Sequence, residues 1–433
     1  MSARANVWVR AHGPVVLLLA VIGYVGMYLR WPNLAGQVDL LVYRFGASRV
    51  LTGLDLYSVG LTGNPHTLLF DYSPFAALCA LPLSLITSET TQVLGLTGNV
   101  ALVVWAVRRM LARLGVSTPA ELYGVGALLV ALVCWLEPVR LSLQLGQVNL
   151  VILAVVVADL LGSDGRRWAG IGIGIVAGIK LTPALFIVYL VLIGRRRTAL
   201  VASLTFAGTV LLGFLVLPRD SGYFWLRGGF DDVARISSDP VANTSLRGLF
   251  VRLHLFGATT TVATIVLAAL GLAVAVLAWR RGQAVLALAI VGMTSDAVSP
   301  FSWSHHWVWI AALVVHLGHR AYVRGGRWSL VAVWAFWATY AGWVVSASGD
   351  TPEAGLLSVR PGGSWDVVLP AAYLVGFAGV LACSAWWLRR PCYETGTTTG
   401  GVLYPVTRTQ LAETPRLGTE ACTSTVSPGN TVT

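Results

Sequence analysis

Near residue 300 the chain reads SPFSWSHHWVW, Ser299 to Trp309, and then runs into a mostly apolar stretch. Imidazole binds metals when neutral and donates to phosphate when protonated, so His305 and His306 are candidates for either contact. Trp303, Trp307 and Trp309 equally fit an aromatic belt at a membrane interface, with two solvated histidines beside it. No second ligand cluster at metal-binding spacing accompanies them, which makes metal the weaker option. An earlier stretch, GQVDLLVYRFGASRV, offers a carboxylate in apolar company. With Leu40, Leu41, Val42 and Phe45 around it, Asp39 is expected on a short amphipathic helix against the membrane. Asp39 and Tyr43 would share one face at i, i+4, with Arg44 beside it. A half-buried carboxylate can act as a general base; an ordinary cap or an ion pair with Arg44 is the alternative.

Other polar groups gather at segment ends. Asp55 in GLDLY reads as turn chemistry, and Asp71 and Tyr72 precede Ser73-Pro74, where capping is the simpler role for the aspartate. Glu137, Arg140, Gln144 and Asn149 form one cluster, and Asn243, Ser245 and Arg247 in VANTSLRGLFVRL form another. Lys180 is the only lysine among 30 basic residues. In a chain so biased towards arginine, a lone lysine suggests a place where a compact ammonium fits and a guanidinium does not; chance is the competing account. Several such clusters on one side suggest a site for a polar, anionic ligand, because Arg and Lys stabilise developing phosphate charge.

The elements that carry these residues belong to a membrane protein. The 433 residues are 56% hydrophobic and 11% charged, against about 25% charged residues in soluble domains, and mean hydropathy is +0.73. The net charge of +11 resides in arginine clusters between apolar runs: Arg108, Arg109 and Arg113; Arg166 and Arg167; Arg195 to Arg197; Arg280 and Arg281; Arg320, Arg324 and Arg327; Arg389 and Arg390. That is the positive-inside pattern of cytoplasmic loops, not a nucleic-acid surface. Twelve spans are expected, at 13–31, 91–107, 121–139, 147–163, 168–180, 182–194, 198–218, 259–279, 283–299, 306–319, 328–346 and 367–388. The first reads as a retained signal anchor. Proline disfavours helix in the residue before it, so a break is expected at Lys180-Leu-Thr-Pro183. Pro74 to Ile86 is too short to span and reads as a re-entrant or juxtamembrane helix.

With the N-terminus inside, this topology leaves 32–73, 140–146, 219–258 and 347–366 outside, on one face with Lys180 and Ser299. A transmembrane domain over 1–390 is expected, loops 32–73 and 219–258 forming its active face. Residues 391–433, rich in Thr, Gly and Pro, read as a disordered cytoplasmic tail. GIGIGIVAG is a helix-packing face with glycines at 170, 174 and 178, not a phosphate loop. No Walker motif, zinc signature or nucleophile elbow occurs. The five cysteines are scattered and receive no disulfide or metal role.

Taken in order, VDLLVYR, GLDLYS, FDYSPFAALCALPL, LQLGQVNLVILAVVVADL, GIKLTPALF, NTSLRGLFVRL and SPFSWSHHWVW resemble the actinobacterial polyprenol-phosphate-mannose-dependent alpha-1,2-mannosyltransferases, glycosyltransferase family 87 of the GT-C class. The family pattern has two prolines where this chain has Ser73-Pro74, and the C-terminal third carries no matching motif. The resemblance implies an all-α GT-C fold with a catalytic carboxylate in the first outer loop, by position Asp39. It implies inverting transfer from a beta-linked polyprenyl-phosphate-mannose donor, at the periplasmic face, to a mannosylated glycolipid such as phosphatidylinositol mannoside, lipomannan or lipoarabinomannan. Lys180, Arg247 and one or both of His305 and His306 would stabilise the leaving phosphate. Arg44, Tyr43, Tyr72, Gln144, Asn149, Asn243, Ser245 and Trp303 become candidate sugar or phosphate contacts. No metal or other cofactor is implied. A GT-C transferase for another lipid-linked sugar, or a flippase for a lipid-linked glycan, are the rival readings.

Overall fold

The computed structural model describes residues 3–390, apart from 65, 117, 163–165, 233–240, 325–326, 343, 347–352 and 355–362. Among the described residues the regular structure is helical apart from a two-stranded antiparallel hairpin, Val344–Ser346 with Glu353–Ala354. Helices α1 (Ala3–Arg30), α5 (Ser88–Arg113), α11 (Arg196–Val216), α14 (Ala258–Arg280) and α18 (Trp365–Arg389) are long; among the described residues, five stretches are long and apolar enough to cross a membrane alone. Their outward faces are apolar. Leu18, Leu19 and Ile22 of α1, Leu200, Leu204 and Leu215 of α11, and Val262 and Ile265 of α14 are all exposed, as lipid-facing surfaces require.

The remaining predicted spans hold shorter helices: α6 (Pro119–Cys134), α8 (Asn149–Leu160), α9 (Ile171–Ile179), α10 (Leu185–Leu192), α15 (Ala284–Val298), α16 (Ile310–Arg324) and α17 (Arg327–Tyr340). None of the seven reaches the roughly 20 residues needed to cross unaided, so among the described residues five of the twelve expected spans coincide with helices long and apolar enough to cross alone. Two departures have clear causes. The expected span 121–139 ends at Cys134, and α7 (Glu137–Leu145) follows as a separate helix bent 117° from α8. Gly146 sits between them at φ 70°, a left-handed conformation that glycine adopts without penalty. The expected span 306–319 begins late, because Ser304–His306 form a 3-10 turn ahead of α16.

Short helices can be buried all round, and α15 is: apart from its last residue, Val298, every residue from Ala284 to Ala297 is inaccessible, between α14 and α16. A helix with no polar face belongs in a core. α9 packs against α11 on its glycines: a Cβ at Gly174 would lie 2.5 Å from Ala202 O and one at Gly178 2.1 Å from Thr209 Oγ1. The small-residue stripe therefore brings two backbones together. α9 stops at Ile179, Lys180 is extended (φ −138°, ψ 130°), and a 3-10 turn at Thr182–Ala184 leads into α10.

The first loop builds a second, smaller core. α2 (Val38–Thr52) carries Asp39 in its first turn, and its start is tied to α5 by a reciprocal pair. Gln37 Nε2 donates to Gln92 O at 2.7 Å, and Gln92 Nε2 donates to Gly36 O at 2.6 Å. Val42, Tyr43 and Ala47 of α2 pack with Leu56, Tyr57, Phe70 and Tyr72, and with Ala76 and Ala77 of α3 (Pro74–Cys79). The short α4 (Leu81–Ser84) follows α3. α12 (Pro218–Ser221) and α13 (Leu246–Arg252) lie in the second large loop. The expected tail, 391–433, and most of the expected loop 347–366 lie outside the described residues.

Candidate active site

A cavity of about 990 Å³ opens where α2, the segment before α3, the α7–α8 bend, the end of α9 and the turn after α15 meet. Asp39, Tyr43, Asp71, Tyr72, Gln147, Lys180, Trp303, His305 and His306 all line it. Seven of the thirteen residues picked from sequence as catalytic or binding thus converge directly, although they come from four distant segments, and an eighth, Asn149, stands behind Lys180.

Asp39 is held from one side. Gln147 Nε2 donates a short hydrogen bond to Asp39 Oδ2, while Gln147 Oε1 lies 2.9 Å from Tyr43 Oη and 3.0 Å from Tyr72 Oη. The two phenol oxygens are themselves 2.9 Å apart. Burial pushes the Asp39 carboxyl up to about 6, and the charge of Asp71 adds to it, while the Gln147 hydrogen bond and Lys180 act in the opposite direction. Such a carboxylate is ionised at neutral pH and still basic enough to take a proton.

Lys180 is placed by a relay of polar contacts. Its Nζ donates to Asn149 Oδ1 at 3.0 Å, and Asn149 Nδ2 donates to the His305 carbonyl at 2.9 Å. Ser142 Oγ donates to the same carbonyl at 3.2 Å. The lysine also stands 5.6 Å above the centre of the Tyr72 ring. Asn149 begins α8, so one amide ties the end of α9 to the histidine turn.

The two histidines are buried, not solvated. Burial, and then the positive charge of Lys180, press both imidazoles well below their usual range, so both are neutral at neutral pH and act as N–H donors without carrying charge. His306 Nδ1 accepts from the Trp303 backbone N–H at 3.3 Å, which puts its proton on Nε2. His305 stacks on Trp303, rings 6.0 Å apart and nearly parallel, and its Nε2 is buried with no hydrogen-bond partner among the described residues. An unpaired buried nitrogen on a cavity wall is a group that a ligand oxygen can satisfy. Trp307 and Trp309 form no interfacial belt: both are buried in the main core.

Five expected contacts lie elsewhere, and each has a structural role. Arg44 follows Tyr43 and so points about 100° away round the helix; it clamps the carbonyls of Leu83 and Ile86 at 2.9–3.2 Å. Gln144 accepts from Arg140 Nη1 at 3.1 Å before the bend turns the chain. Asn243 bridges Ser245 N, Ser302 N and Pro300 O, thereby shaping the turn that carries the histidines. Ser245 caps α13 by accepting from Gly248 N. Arg247 pairs with Asp231 at 2.7 Å on the surface, with 41% and 46% of the side chains exposed.

Two residues of the site are not among those expected from sequence. The cap of α3 is Ser73, which accepts from Ala76 N, and not Asp71, which lines the cavity. Gln147, and not Gln144, reaches Asp39; its sequence signal is a polar residue directly after a glycine that breaks an apolar run.

The model of glycosyltransferase family 87 matches residues 70–300. A polyprenol-phosphate-mannose-dependent alpha-(1-2)-phosphatidylinositol pentamannoside mannosyltransferase of Mycobacterium tuberculosis is 34% identical over 70% of this chain and 71% of its own. The protein of the same description from Mycolicibacterium smegmatis is 32% identical over 72% of this chain and 78% of its own. A polyprenol-phosphate-mannose-dependent alpha-(1-2)-phosphatidylinositol mannoside mannosyltransferase of M. tuberculosis is 30% identical over 69% and 73%. No solved structure matches the chain. With more than half of its length matched by the family model and relatives this similar across most of both chains, the chain belongs to glycosyltransferase family 87.

Proposed function

We propose that this protein transfers mannose from a polyprenyl-phosphate-mannose donor to a mannosylated phosphatidylinositol, forming an alpha-1,2 linkage with inversion. One observation carries the reading: a single cavity brings an ionised carboxylate, Asp39, together with the ammonium of Lys180 and the N–H groups of His305 and His306. Transfer with inversion needs a base for the attacking hydroxyl and positive or donor groups for the departing phosphate.

Asp39 takes the proton of the acceptor hydroxyl as that oxygen bonds to the anomeric carbon. The bond from that carbon to the phosphate oxygen breaks, its electron pair stays with the oxygen, and polyprenyl phosphate leaves. Lys180 faces the negative charge that develops, and His305 Nε2 gains the partner it lacks. Tyr43, Tyr72 and Trp303 supply ring faces and hydroxyls of the kind that sugars stack on. The leaving group is a phosphate monoester, so the reading calls for no metal.

The course of the chain supports a site at the outer face of a GT-C-like arrangement. α8 leaves the site at Asn149 and ends at Leu160, six residues before Arg166; α9 returns to Ile179, next to Lys180. α10 leaves again towards Arg195, and α14 ends at Arg280 before α15 returns to Ser299. Each excursion from the cavity thus turns at an arginine cluster, as cytoplasmic loops do, and both termini would lie on that inner side.

The test uses membranes containing the protein, labelled mannosyl-phosphopolyprenol and phosphatidylinositol mannosides of increasing size. The reading expects release of polyprenyl phosphate with one mannose added to the acceptor. Redistribution of intact donor across the bilayer without release would establish a flippase, and transfer from a donor carrying another sugar would replace mannose in the assignment.

A further inference from the structure

The amide of Gln147 stands between two demands that fix its orientation. On one side Nε2 meets Asp39 Oδ2. On the other, Oε1 meets the hydroxyls of Tyr43 and Tyr72, at 2.9 and 3.0 Å. Tyr72 has this oxygen as acceptor for its proton, and the Tyr43 oxygen also receives the Val148 N–H at 3.4 Å. Rotating the amide by 180° would turn Oε1 towards the carboxylate and leave a phenol proton without its acceptor.

Behind the amide, Gln147, Tyr43 and Tyr72 also line a smaller, mostly apolar cavity of about 330 Å³, whose other walls include Leu40, Ala76, Leu83, Leu102 and Val151. The side chain is 5% exposed. Its main chain is pinned as well: Gln147 N donates to Ser142 O at 2.9 Å, and Asn99 Nδ2 reaches Gln147 O at 3.5 Å. Both ends of the residue are thus held at the α7–α8 bend. Among the described residues no donor reaches Asp39 Oδ1.

We propose that Gln147 is the positioning residue of the transfer reaction, its amide locking Asp39 Oδ2 so that Oδ1 alone is presented to the acceptor hydroxyl. The two tyrosines act through it: their converging hydroxyls keep the NH2 group, and never the amide oxygen, against the carboxylate. A donor fixed on one oxygen favours the ionised form and sets which lone pair receives the proton. This role rests on the reading of Asp39 as the base.

The ionisable groups that face Asp39 are Tyr43 on its own helix, Asp71 and Tyr72 from the segment before α3, and Lys180 at the end of α9. None of them is altered by replacing the amide. Loss of the Gln147 donor is therefore expected to move the acid limb of the pH–rate profile upward by about one pH unit. Turnover would fall about 10- to 100-fold, a fraction of the roughly 100- to 10,000-fold that a general base contributes, with KM for both substrates within about twofold of wild type.

The experiment compares wild type, Gln147→Asn and Gln147→Leu in detergent, with mannosyl-phosphopolyprenol and a phosphatidylinositol mannoside as substrates. Gln147→Asn keeps the polarity of the bend but is one methylene too short to reach Asp39, so it serves even where the leucine variant folds poorly. Both are expected to show the upward limb and the lower kcat. A folded Gln147→Asn with an unmoved limb, or a defect confined to KM, overturns the proposal. An Asp39→Asn variant with normal turnover overturns the base reading itself, a result distinct from either.

Discussion

Lys180 Nζ donates to Asn149 Oδ1 at 3.0 Å, and through that one amide the cation is tied to the His305 carbonyl. The position of the only lysine in the chain and the position of the histidine turn are thus set by the same side chain. Three chain segments, ending α9, beginning α8 and following α15, meet at Asn149.

Replacing Lys180 by arginine keeps the charge and removes the fit. A planar guanidinium cannot take the place of a point ammonium between the Asn149 amide and the Tyr72 ring. Transfer is expected to fall at least about tenfold, as loss of a donor to developing charge does. Asn149→Ala should lower it too, by freeing both Lys180 and the turn. Steady-state rates of both variants check this, and full activity in Lys180→Arg would make the lone lysine an accident of composition.

The pH dependence follows from Asp39. Its folded value is about 6, above the ordinary 3.8, and the active form is the carboxylate. Activity is expected to decline as pH falls through about 6, and Asp39→Asn to abolish transfer across the range. The sign for stability is opposite to that of a salt-bridged aspartate. A raised folded value means that the folded state binds the proton more tightly than the unfolded chain. This site therefore adds stability as pH falls from above 6 towards 3.8. The neutral Asp39→Asn variant should accordingly melt no lower than wild type at pH 7.5, and a lower melting temperature there would contradict the burial argument.

Neighbouring histidines in one turn have unequal surroundings. His305 Nε2 lacks a partner, whereas His306 Nδ1 accepts from Trp303 N. His305→Ala is expected to reduce kcat by about 100- to 1,000-fold with little effect on melting, as removal of one donor to a charged transition state does. His306→Ala, which removes a brace of the turn, is expected to lower the melting temperature as well. Equal, negligible losses in both variants would return the pair to a packing role.

How far the site was legible depended on whether its signal was local. Asp39 and Tyr43 stand out because a carboxylate and a phenol at i, i+4 in an apolar run are visible in a short window. The break at Lys180 announces itself through Pro183. Arg247, Arg44, Asn243 and Ser245 carry no local sign of the partners they have in the structure: Asp231, the Leu83 and Ile86 carbonyls, the Pro300–Ser302 turn and Gly248 N mostly lie far along the chain or on a backbone with no residue signature. The lengths of the expected spans were less legible for a related reason. Hydropathy reports that a segment is apolar but not whether lipid or protein covers it, and α15 is covered by protein.

The bend at Gly146 offers the sharpest test of how the scaffold makes the site. Gly146 has φ 70°, and a Cβ there would lie 2.6 Å from Leu40 Cβ and 3.0 Å from Gln37 Cβ. Alanine would meet two penalties, the left-handed backbone at about 1–2 kcal/mol and forced overpacking at about 1–3 kcal/mol. The overpacking pushes on α2 next to Asp39, so Gly146→Ala should lose transfer activity beyond its loss of folded protein. Gly53, at the other end of α2, separates the two effects. It has φ 68° with nothing within 4 Å of a Cβ, so Gly53→Ala carries the backbone penalty alone. Melting temperature and kcat per folded enzyme are the measurements: Gly53→Ala should lower the first and spare the second, while Gly146→Ala lowers both. Equal kcat in the two variants would mean that the contact of the bend with α2 does not set the position of Asp39.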